Sequence, residues 1–228
     1  MKPIIFDTSP IISITMNNLL WLFGNLERRF DGKFYITKAV KEELVDKPLN
    51  TKKYEFEALQ VLQTIKRGIF KVITDNTITE KTKFLLDLAN SCFLAHNNPI
   101  QIVHFAEIET LAAALHLKSN IIVVDERTTR LLIEDPKKLA FILKHKLHTK
   151  ITINQKALKE FTRLVKGIKV IRSIEIVTIA YELGLLDSYI PNMPDGRKRL
   201  LDSILWGVKL DGCSVSRREI DQIIKLEK

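Results

Sequence analysis

The sequence predicts an α/β protein built around a parallel sheet. Short runs of β-branched and aromatic residues recur through the first 125 residues, and segments with apolar residues at three- and four-residue steps separate them. Runs that are apolar without alternation are typical of strands buried on both faces, as in a parallel sheet. Strands that alternate with helices in this way predict a doubly wound sheet with helices on both faces.

The first strand is predicted over residues 2–6, an apolar run that ends in Asp7. Residues 10–26 then show apolar side chains at helical spacing, which predicts a helix. Residues 34–36 repeat the strand pattern. Thr37 follows as a predicted helix cap, because its hydroxyl can accept a hydrogen bond from a free amide of the first turn.

The alternation of strand and helix continues as far as Asp125. Gly68 and the Asn-Asn-Pro segment at 97–99 interrupt the periodic segments and are expected to end helices. The strongest strand signal is the run Ile-Ile-Val-Val that leads directly into Asp125. The predicted elements are, in order, helix 38–46, helix 54–67, strand 69–73, helix 80–95, helix 107–117 and strand 121–124.

Beyond residue 126 the sequence is mostly of helical type. Two short runs, 151–153 and 168–171, have the composition of strands, and residues 187–196, with two prolines, are predicted to be a loop. We therefore divide the chain into a sheet domain, residues 1–150, and a mostly helical extension packed on it, residues 151–228. The sheet domain is predicted to end with a helix over 136–147. The predicted helices of the extension are 155–165, 174–183, 197–210 and 217–226.

The positive charge of the chain is concentrated in its second half. The 228 residues carry 36 Lys and Arg against 27 Asp and Glu, a formal net charge of +9. Residues 1–125 have a net charge of +1, whereas residues 126–228 have +8. Such a distribution is typical of proteins that bind polyanions, although a solvated basic surface has the same composition.

Cysteine use and hydropathy indicate a cytoplasmic protein without membrane association. Cys92 and Cys213 lie far apart and lack the spacing of a disulfide framework or a structural zinc site. The longest uncharged stretch, residues 8–26, contains seven polar residues, which argues against a membrane span or a signal peptide.

Two acidic residues stand at the ends of predicted strands. Asp7 and Asp125 each end an apolar run and precede a helix. The carboxyl ends of parallel strands share one edge of the sheet, and neighbouring strands are about 4.8 Å apart, so the two carboxylates can share a divalent cation. The alternative interpretation of each residue is a helix N-cap. Glu43 and Glu107 lie in flanking helices, and four carboxylates brought together would repel one another unless Mg²⁺ or Mn²⁺ held them.

Four short motifs in this order resemble those of PIN-domain nucleases, over roughly residues 3–135. They are Ile4-Ile5-Phe6-Asp7-Thr8-Ser9, Val40-x-x-Glu43-Leu44, Ala106-Glu107-Ile108-Glu109 and Ile121 to Asp125. The tail from residue 174 is similar to the C-terminal helices of the longer free-standing PIN proteins. The resemblance implies a three-layer α/β/α sandwich with a central parallel sheet and additional C-terminal helices. It also implies cleavage of RNA, usually single-stranded, with Mg²⁺ or Mn²⁺.

The resemblance also implies roles for individual residues. The catalytic and metal-binding positions are Asp7, Glu43, Glu107 and Asp125. Glu109 is the second choice among the metal ligands, and Thr8 or Ser9 supplies a hydroxyl that supports the first aspartate. Whether Glu43 holds a second ion or orients water stays open.

Basic side chains after Asp125 are candidates for contacts with the RNA backbone. Two of them follow Asp125 at the same predicted sheet edge, and the others form the densest basic clusters of the chain. The alternative is that they are solvated or paired with acids such as Glu126 or Glu134. These candidates are Arg127, Arg130, Lys144, Lys146, Arg197, Lys198 and Arg199.

Three functions are compatible with the sequence. The favoured one is a metal-dependent endoribonuclease, either a processing enzyme or the toxin of a toxin–antitoxin pair. A non-catalytic RNA-binding or scaffold protein is disfavoured because all four acids are present. A phosphotransferase with Asp7 as nucleophile is disfavoured because Ser9 stands where such enzymes usually have a second Asp. Besides the RNA substrate, two protein partners stay open: a second copy of the chain, as a homodimer, and an antitoxin-type inhibitor.

Overall fold

Two sheets organise residues 2–227, the part of the chain that the computed structural model describes. The strands are β1 (Lys2–Phe6), β2 (Gly32–Ile36), β3 (Phe70–Val72), β4 (Phe93–Ala95), β5 (Asn98–Pro99), β6 (Ile121–Val123), β7 (Ile151–Ile153) and β8 (Lys169–Ile171). Five strands form a parallel sheet in the order β3-β2-β1-β6-β8, which places the first strand at the centre. The remaining three form a small antiparallel sheet in the order β5-β4-β7.

Helices cover both faces of the parallel sheet. They are α1 (Thr8–Met16), α2 (Leu22–Arg29), α3 (Lys38–Lys41), α4 (Glu55–Lys66), α5 (Thr77–Asn90), α6 (Phe105–His116), α7 (Arg127–Glu134), α8 (Pro136–Leu147), α9 (Gln155–Leu164), α10 (Ser173–Glu182), α11 (Gly196–Leu210) and α12 (Arg217–Leu226). This arrangement confirms the predicted α/β/α sandwich with additional C-terminal helices. None of these helices, the longest of which has 15 residues, is long and apolar enough to cross a lipid bilayer.

Each face of the sheet has its own apolar core, because successive side chains of a strand point to opposite faces. Ile4 and Phe6 of β1 belong to the core formed with α1, α2, α4 and α10–α12. Ile5 belongs to the core formed with α5–α9. On the first face the ring of Phe6 packs against three other aromatic rings, with centroids 5.1–5.3 Å apart, which belong to Phe23, Phe34 and Phe70.

Two predicted helices differ from the structure. The helix predicted over 10–26 is two helices, α1 and α2, separated by a turn in which Asn18 has a φ of 57°. Asparagine tolerates this left-handed conformation better than most residues, so it can end α1 there. The helix predicted over 80–95 ends at Asn90, because residues 93–95 pair with β7 and bury Phe93 completely.

Strand pairing continues across the predicted domain boundary at residue 150. β7 pairs with β4 of the small sheet, and β8 pairs in parallel with β6 at the edge of the central sheet. The second part of the chain therefore contributes strands to both sheets as well as helices. The domain division itself stays a prediction, since no break in the packing marks residue 150.

Candidate active site

Asp7 lies at the carboxyl edge of the central strand, where β1 gives way to α1. Its amide donates a hydrogen bond to the carbonyl of Val123 on the neighbouring strand, at 2.9 Å. Its side chain is only 4% exposed and accepts a hydrogen bond from the hydroxyl of Ser9, at 3.2 Å. The expected supporting hydroxyl is therefore present on Ser9.

Glu43 approaches the same edge from a π-helical turn, Glu42–Asp46, that continues α3. Such turns occur frequently at functional sites, because the wider backbone ring changes the direction of the side chains. The hydroxyl of Thr8 donates a hydrogen bond to Oε2 of Glu43, at 2.6 Å. Glu42, by contrast, is exposed and lies 3.8 Å from the ammonium of Lys47. Glu43 is therefore the acid of this pair that faces Asp7.

Glu107 stands in the first turn of α6 and is half-buried. Its Oε2 accepts a hydrogen bond from the amide of His104, at 3.0 Å, which makes it a cap for the start of the helix. The hydroxyl of Thr129 lies 3.4 Å from the same oxygen. The carboxylate is thereby held at the sheet edge between the start of α6 and α7.

The pKa values of Asp7 and Glu107 are raised mainly by burial and further by the neighbouring acids. Burial raises the pKa of Asp7 to about 7, and the charges of Glu107 and Glu43 add to this effect against the opposing hydrogen bonds from Thr8 and Ser9. Burial also raises the pKa of Glu107, and the charge of Glu126 contributes to that shift. Carboxyl groups that interact in this way form one site rather than separate surface acids.

Asp125 is held in the core by hydrogen bonds. It is fully buried, and its two carboxyl oxygens accept hydrogen bonds from the amide and hydroxyl of Ser173 and the hydroxyl of Ser13, at 2.7, 2.7 and 2.9 Å. These partners lie on α1 and α10, which cover the face of the sheet opposite α6. The hydrogen bonds give Asp125 a structural role, and its sharing of a cation with Asp7 stays a prediction.

Strand register explains the position of Asp125. Phe6 pairs with Val123, so Asp7 lies level with Val124, and Asp125 is one residue further along the chain. Because consecutive side chains point to opposite faces, Asp125 is directed away from the face that Asp7 and Glu107 share. The sequence shows both acids at strand ends but does not contain this one-residue offset.

Glu126, the residue after Asp125, lies near Glu107. It precedes α7, and its Oε2 accepts a hydrogen bond from the amide of Thr129, at 2.7 Å, as a helix N-cap. Its charge contributes to the raised pKa of Glu107. Because adjacent side chains point to opposite faces, Glu126 is directed to the face of Glu107, and it is a candidate site residue that the sequence analysis did not include.

Glu109, the second choice among the predicted ligands, is buried between α6 and α3. It is 7% exposed, and its Oε2 accepts a hydrogen bond from the amide of Ala39, at 2.9 Å. This bond joins α6 to the first turn of α3, whose start is capped by Thr37 as predicted. Glu109 therefore fixes the helix that carries Glu43.

The predicted RNA-contacting side chains lie on three different helices. Arg127 is exposed at the start of α7, and Arg130 pairs with Glu134 at 3.3 Å. Among the described residues, the Nε of Arg130 is the buried side-chain donor without a hydrogen-bond partner. The exposed side chains of Lys144 and Lys146 are on α8, and those of Arg197, Lys198 and Arg199 are on α11, on the opposite face of the sheet. Only the two arginines of α7 stand beside the acids.

The acidic donor set suits a hard divalent cation such as Mg²⁺ or Mn²⁺. Carboxylate oxygens are the preferred ligands of such ions, and a bound cation would remove the repulsion between Asp7, Glu43 and Glu107. Within residues 2–227, no three His, Cys, Asp or Glu side chains are already close enough to hold a metal ion. The carboxylates would therefore have to turn toward a common point when an ion binds.

Comparison with known proteins identifies the family. A family model described as a PIN domain matches residues 3–135, which contain β1 to β6 together with the acids of the sheet edge. No curated protein and no solved structure matches the chain significantly. The match covers more than half of the chain, and the fold agrees with it. The chain therefore belongs to the PIN-domain family.

Proposed function

We propose that this protein is a metal-dependent endoribonuclease that hydrolyses phosphodiester bonds of single-stranded RNA at the acidic sheet edge. The observation that carries the proposal is the position of Asp7, Glu43 and Glu107 at the carboxyl edge of the sheet, where Ser9 and Thr8 hold the carboxyl groups of Asp7 and Glu43. Burial raises the pKa of Asp7 to about 7, and the charges of Glu107 and Glu43 add to this effect. PIN domains are generally nucleases, and the match to that family supports the same reaction class.

Asp7 and Glu107, with Glu126 or Glu43, are the residues that would hold Mg²⁺ or Mn²⁺. When bound, such an ion would neutralise the charge of the phosphate and lower the pKa of its bound water. Ser9 holds the carboxyl group of Asp7 by a hydrogen bond, and Thr8 does the same for Glu43. These hydroxyls hold the two carboxylates at the sheet edge, from which they would turn toward a bound ion.

The arginines of α7 would contact the RNA backbone beside the acids. Arg127 is exposed, and Arg130 keeps a buried Nε–H without a partner among the described residues. A guanidinium donates to phosphate oxygens in a geometry that ammonium groups do not match. These side chains would counter the repulsion between a phosphate and the cluster of carboxylates.

The cysteines support a reducing compartment, and we place the protein in the cytoplasm. Cys92 and Cys213 are both buried and unpaired. Burial raises the pKa of Cys213 to about 12, and the charge of Asp125 adds to this shift, so the thiol is unreactive.

The proposal is tested by Mn²⁺- or Mg²⁺-dependent cleavage of a labelled single-stranded RNA. Asp7→Asn should abolish cleavage, because it removes a charged ligand while keeping the shape of the side chain. The matched control is Asp87→Asn, which changes an exposed aspartate of α5 away from the acids and should cleave like the wild type. Equal activity of Asp7→Asn and wild type, or cleavage that persists in EDTA, would contradict the assignment.

A further inference from the structure

A mostly apolar pocket of about 420 Å³ lies directly beside Glu43. Its walls come from α1, the start of α4 and the end of α11. Exposed apolar side chains surround it, among them Ile12, Met16 and Leu210. A concave apolar site of this size with a few polar groups is typical of a small-ligand or single-group pocket.

Glu43 lines a second groove as well as the pocket. This open groove, of about 680 Å³, lies on the side of α6. Two exposed lysines, Lys38 and Lys47, line it together with the acids Glu42, Glu43 and Glu109. The two lysines could contact the phosphates of a nucleic acid that reaches the pocket beside Glu43.

Tyr54 gives the pocket an accessible aromatic ring. The residue is 47% exposed, and its backbone has a φ of 63°, in the left-handed region that non-glycine residues adopt rarely. The ammonium of Lys53 lies 4.8 Å from the centre of the ring. An aromatic ring next to a lysine is the combination on which proteins stack the bases of single-stranded nucleic acids.

Glu57 gives the pocket a free hydrogen-bond acceptor. It stands in the first turn of α4, lines the pocket together with Tyr54, and is half-buried. Among residues 2–227, its carboxylate has no hydrogen bond or ion pair. Of the two other acids in the wall, Asp211 already accepts a hydrogen bond from Asn17, at 2.7 Å, and Glu43 accepts one from the hydroxyl of Thr8, at 2.6 Å. Glu57 is therefore the group that can recognise a donor placed in the pocket.

We propose that this pocket binds one unpaired base of the RNA next to the phosphate that is cleaved. Tyr54 stacks on the base, and Glu57 accepts a hydrogen bond from its exocyclic amino group, as carboxylates do for cytosine and related bases. Adenine, cytosine and guanine carry such a group and uracil does not, so the pocket selects an amino-bearing base. This inference rests on the proposed function, since it assigns the substrate contact of the same site.

The geometry favours a base over a protein segment as the occupant. Glu43 lines the pocket, so whatever fills it lies beside that acid, and its volume of about 420 Å³ is that of a small-molecule pocket, which is large enough for a nucleobase. A protein partner would need a far larger surface, roughly 800 Å² on each side for a stable complex. Binding of a second copy of the chain at this pocket would contradict the proposal.

The test compares cleavage and binding of short single-stranded RNAs by wild type, Tyr54→Ala, Tyr54→Phe and Glu57→Gln. Tyr54→Ala should lower kcat/KM about tenfold or more, because it removes base stacking, whereas Tyr54→Phe should keep it. Glu57→Gln should reduce the preference for oligoadenylate or oligocytidylate over oligouridylate. The matched control is Phe56→Ala, which changes a side chain of the same helix that is 68% exposed and does not line the pocket.

A second arm uses unmodified protein, so that no variant has to fold. An oligoadenylate with one abasic position should lose cleavage at the phosphate next to that position and keep it elsewhere. Wild-type cleavage that is insensitive to the abasic position and to Tyr54→Ala would overturn the base pocket and leave the nuclease assignment standing.

Binding distinguishes failure of the pocket from failure of the proposed function. If the wild type cleaves no RNA with Mn²⁺ or Mg²⁺, binding of labelled oligoadenylate is measured by fluorescence anisotropy. Weaker binding by Tyr54→Ala than by Phe56→Ala would support the base pocket and contradict the nuclease activity. Equal binding by the two variants, or no binding at all, would contradict both the base pocket and the nuclease activity. Self-association that Tyr54→Ala abolishes would assign the pocket to a second copy of the chain and overturn the proposal.

Discussion

Replacing Asp125 with alanine should destabilise the fold without removing a residue of the acidic site. In the structure this carboxyl group is the acceptor for the amide and hydroxyl of Ser173 and for the hydroxyl of Ser13. The change leaves two buried donors of Ser173 without an acceptor. The hydroxyl of Ser13 keeps alternatives, since it is also 3.1 Å from the carbonyls of Ser9 and Asp211.

The loss of stability in Asp125→Ala follows from the number of buried donors that are left without a partner. Each buried unsatisfied donor costs about 1–3 kcal/mol, so the two groups of Ser173 predict a loss of about 2–6 kcal/mol in the free energy of unfolding. Asp125→Asn keeps one oxygen acceptor and should lose less. Asp7→Asn should change stability little, because burial already disfavours the charge of Asp7 and Ser9 is its single side-chain donor.

Urea unfolding followed by tryptophan fluorescence measures these differences, and RNA cleavage is measured on the same proteins. We expect Asp125→Asn to retain cleavage below its unfolding midpoint and Asp7→Asn to have none. An Asp125→Asn protein that is as stable as wild type but inactive would refute the assignment of Asp125 to the core.

Three further predictions concern other acids and the C-terminal helices. Glu126→Gln should lower Mn²⁺ affinity about 10–100-fold in a titration of cleavage, whereas Glu109→Gln, whose side-chain oxygen can still accept the amide bond, should change it little. Arg172→Met removes ion pairs with Glu175 and Glu219 at 2.6 and 2.9 Å and should lower the free energy of unfolding by about 1–3 kcal/mol, measured in urea. Burial opposes ionisation of Glu219, but the hydrogen bonds at its helix cap and the guanidinium lower its pKa to about 2. Because this pKa is depressed in the folded state, its stabilising effect is complete above about pH 4.5 and is lost as the pH falls toward 2. The acid-induced loss in that window should therefore be smaller in Arg172→Met, and an identical acid profile would contradict the role given to the ion pairs.

The fold could be predicted from the sequence because its strands are marked by local patterns. The uninterrupted apolar runs at 2–6 and 121–124 are buried on both faces in the structure, as such runs require. The helix break at Asn18 and the strand at Phe93 could not be predicted, because helical spacing continues across both positions. Each depends on tertiary packing, which overrides the local pattern.

The acidic site could be predicted only in part for a related reason. Asp7 and Glu107 are placed by elements that the sequence marks clearly, a strand end and a helix start. The choice between Asp125 and Glu126 depends on the register of β6 against β1, which is set by packing over the whole sheet. Tyr54 and Glu57 carry no sequence signal, since their meaning comes from the pocket that α1 and α11 close around them.

The pairing of β8 with β6 determines when the sheet can be completed during synthesis. A nascent chain that has emerged only as far as residue 150 contains every acid of the sheet edge, but it leaves one side of β6 without its neighbour and Asp125 without the donors of Ser173. An open strand edge of this kind is a surface on which unfolded chains associate. Shortened forms that end before residue 169 should therefore aggregate, and a catalytically competent protein should appear only once almost three quarters of the chain has been made.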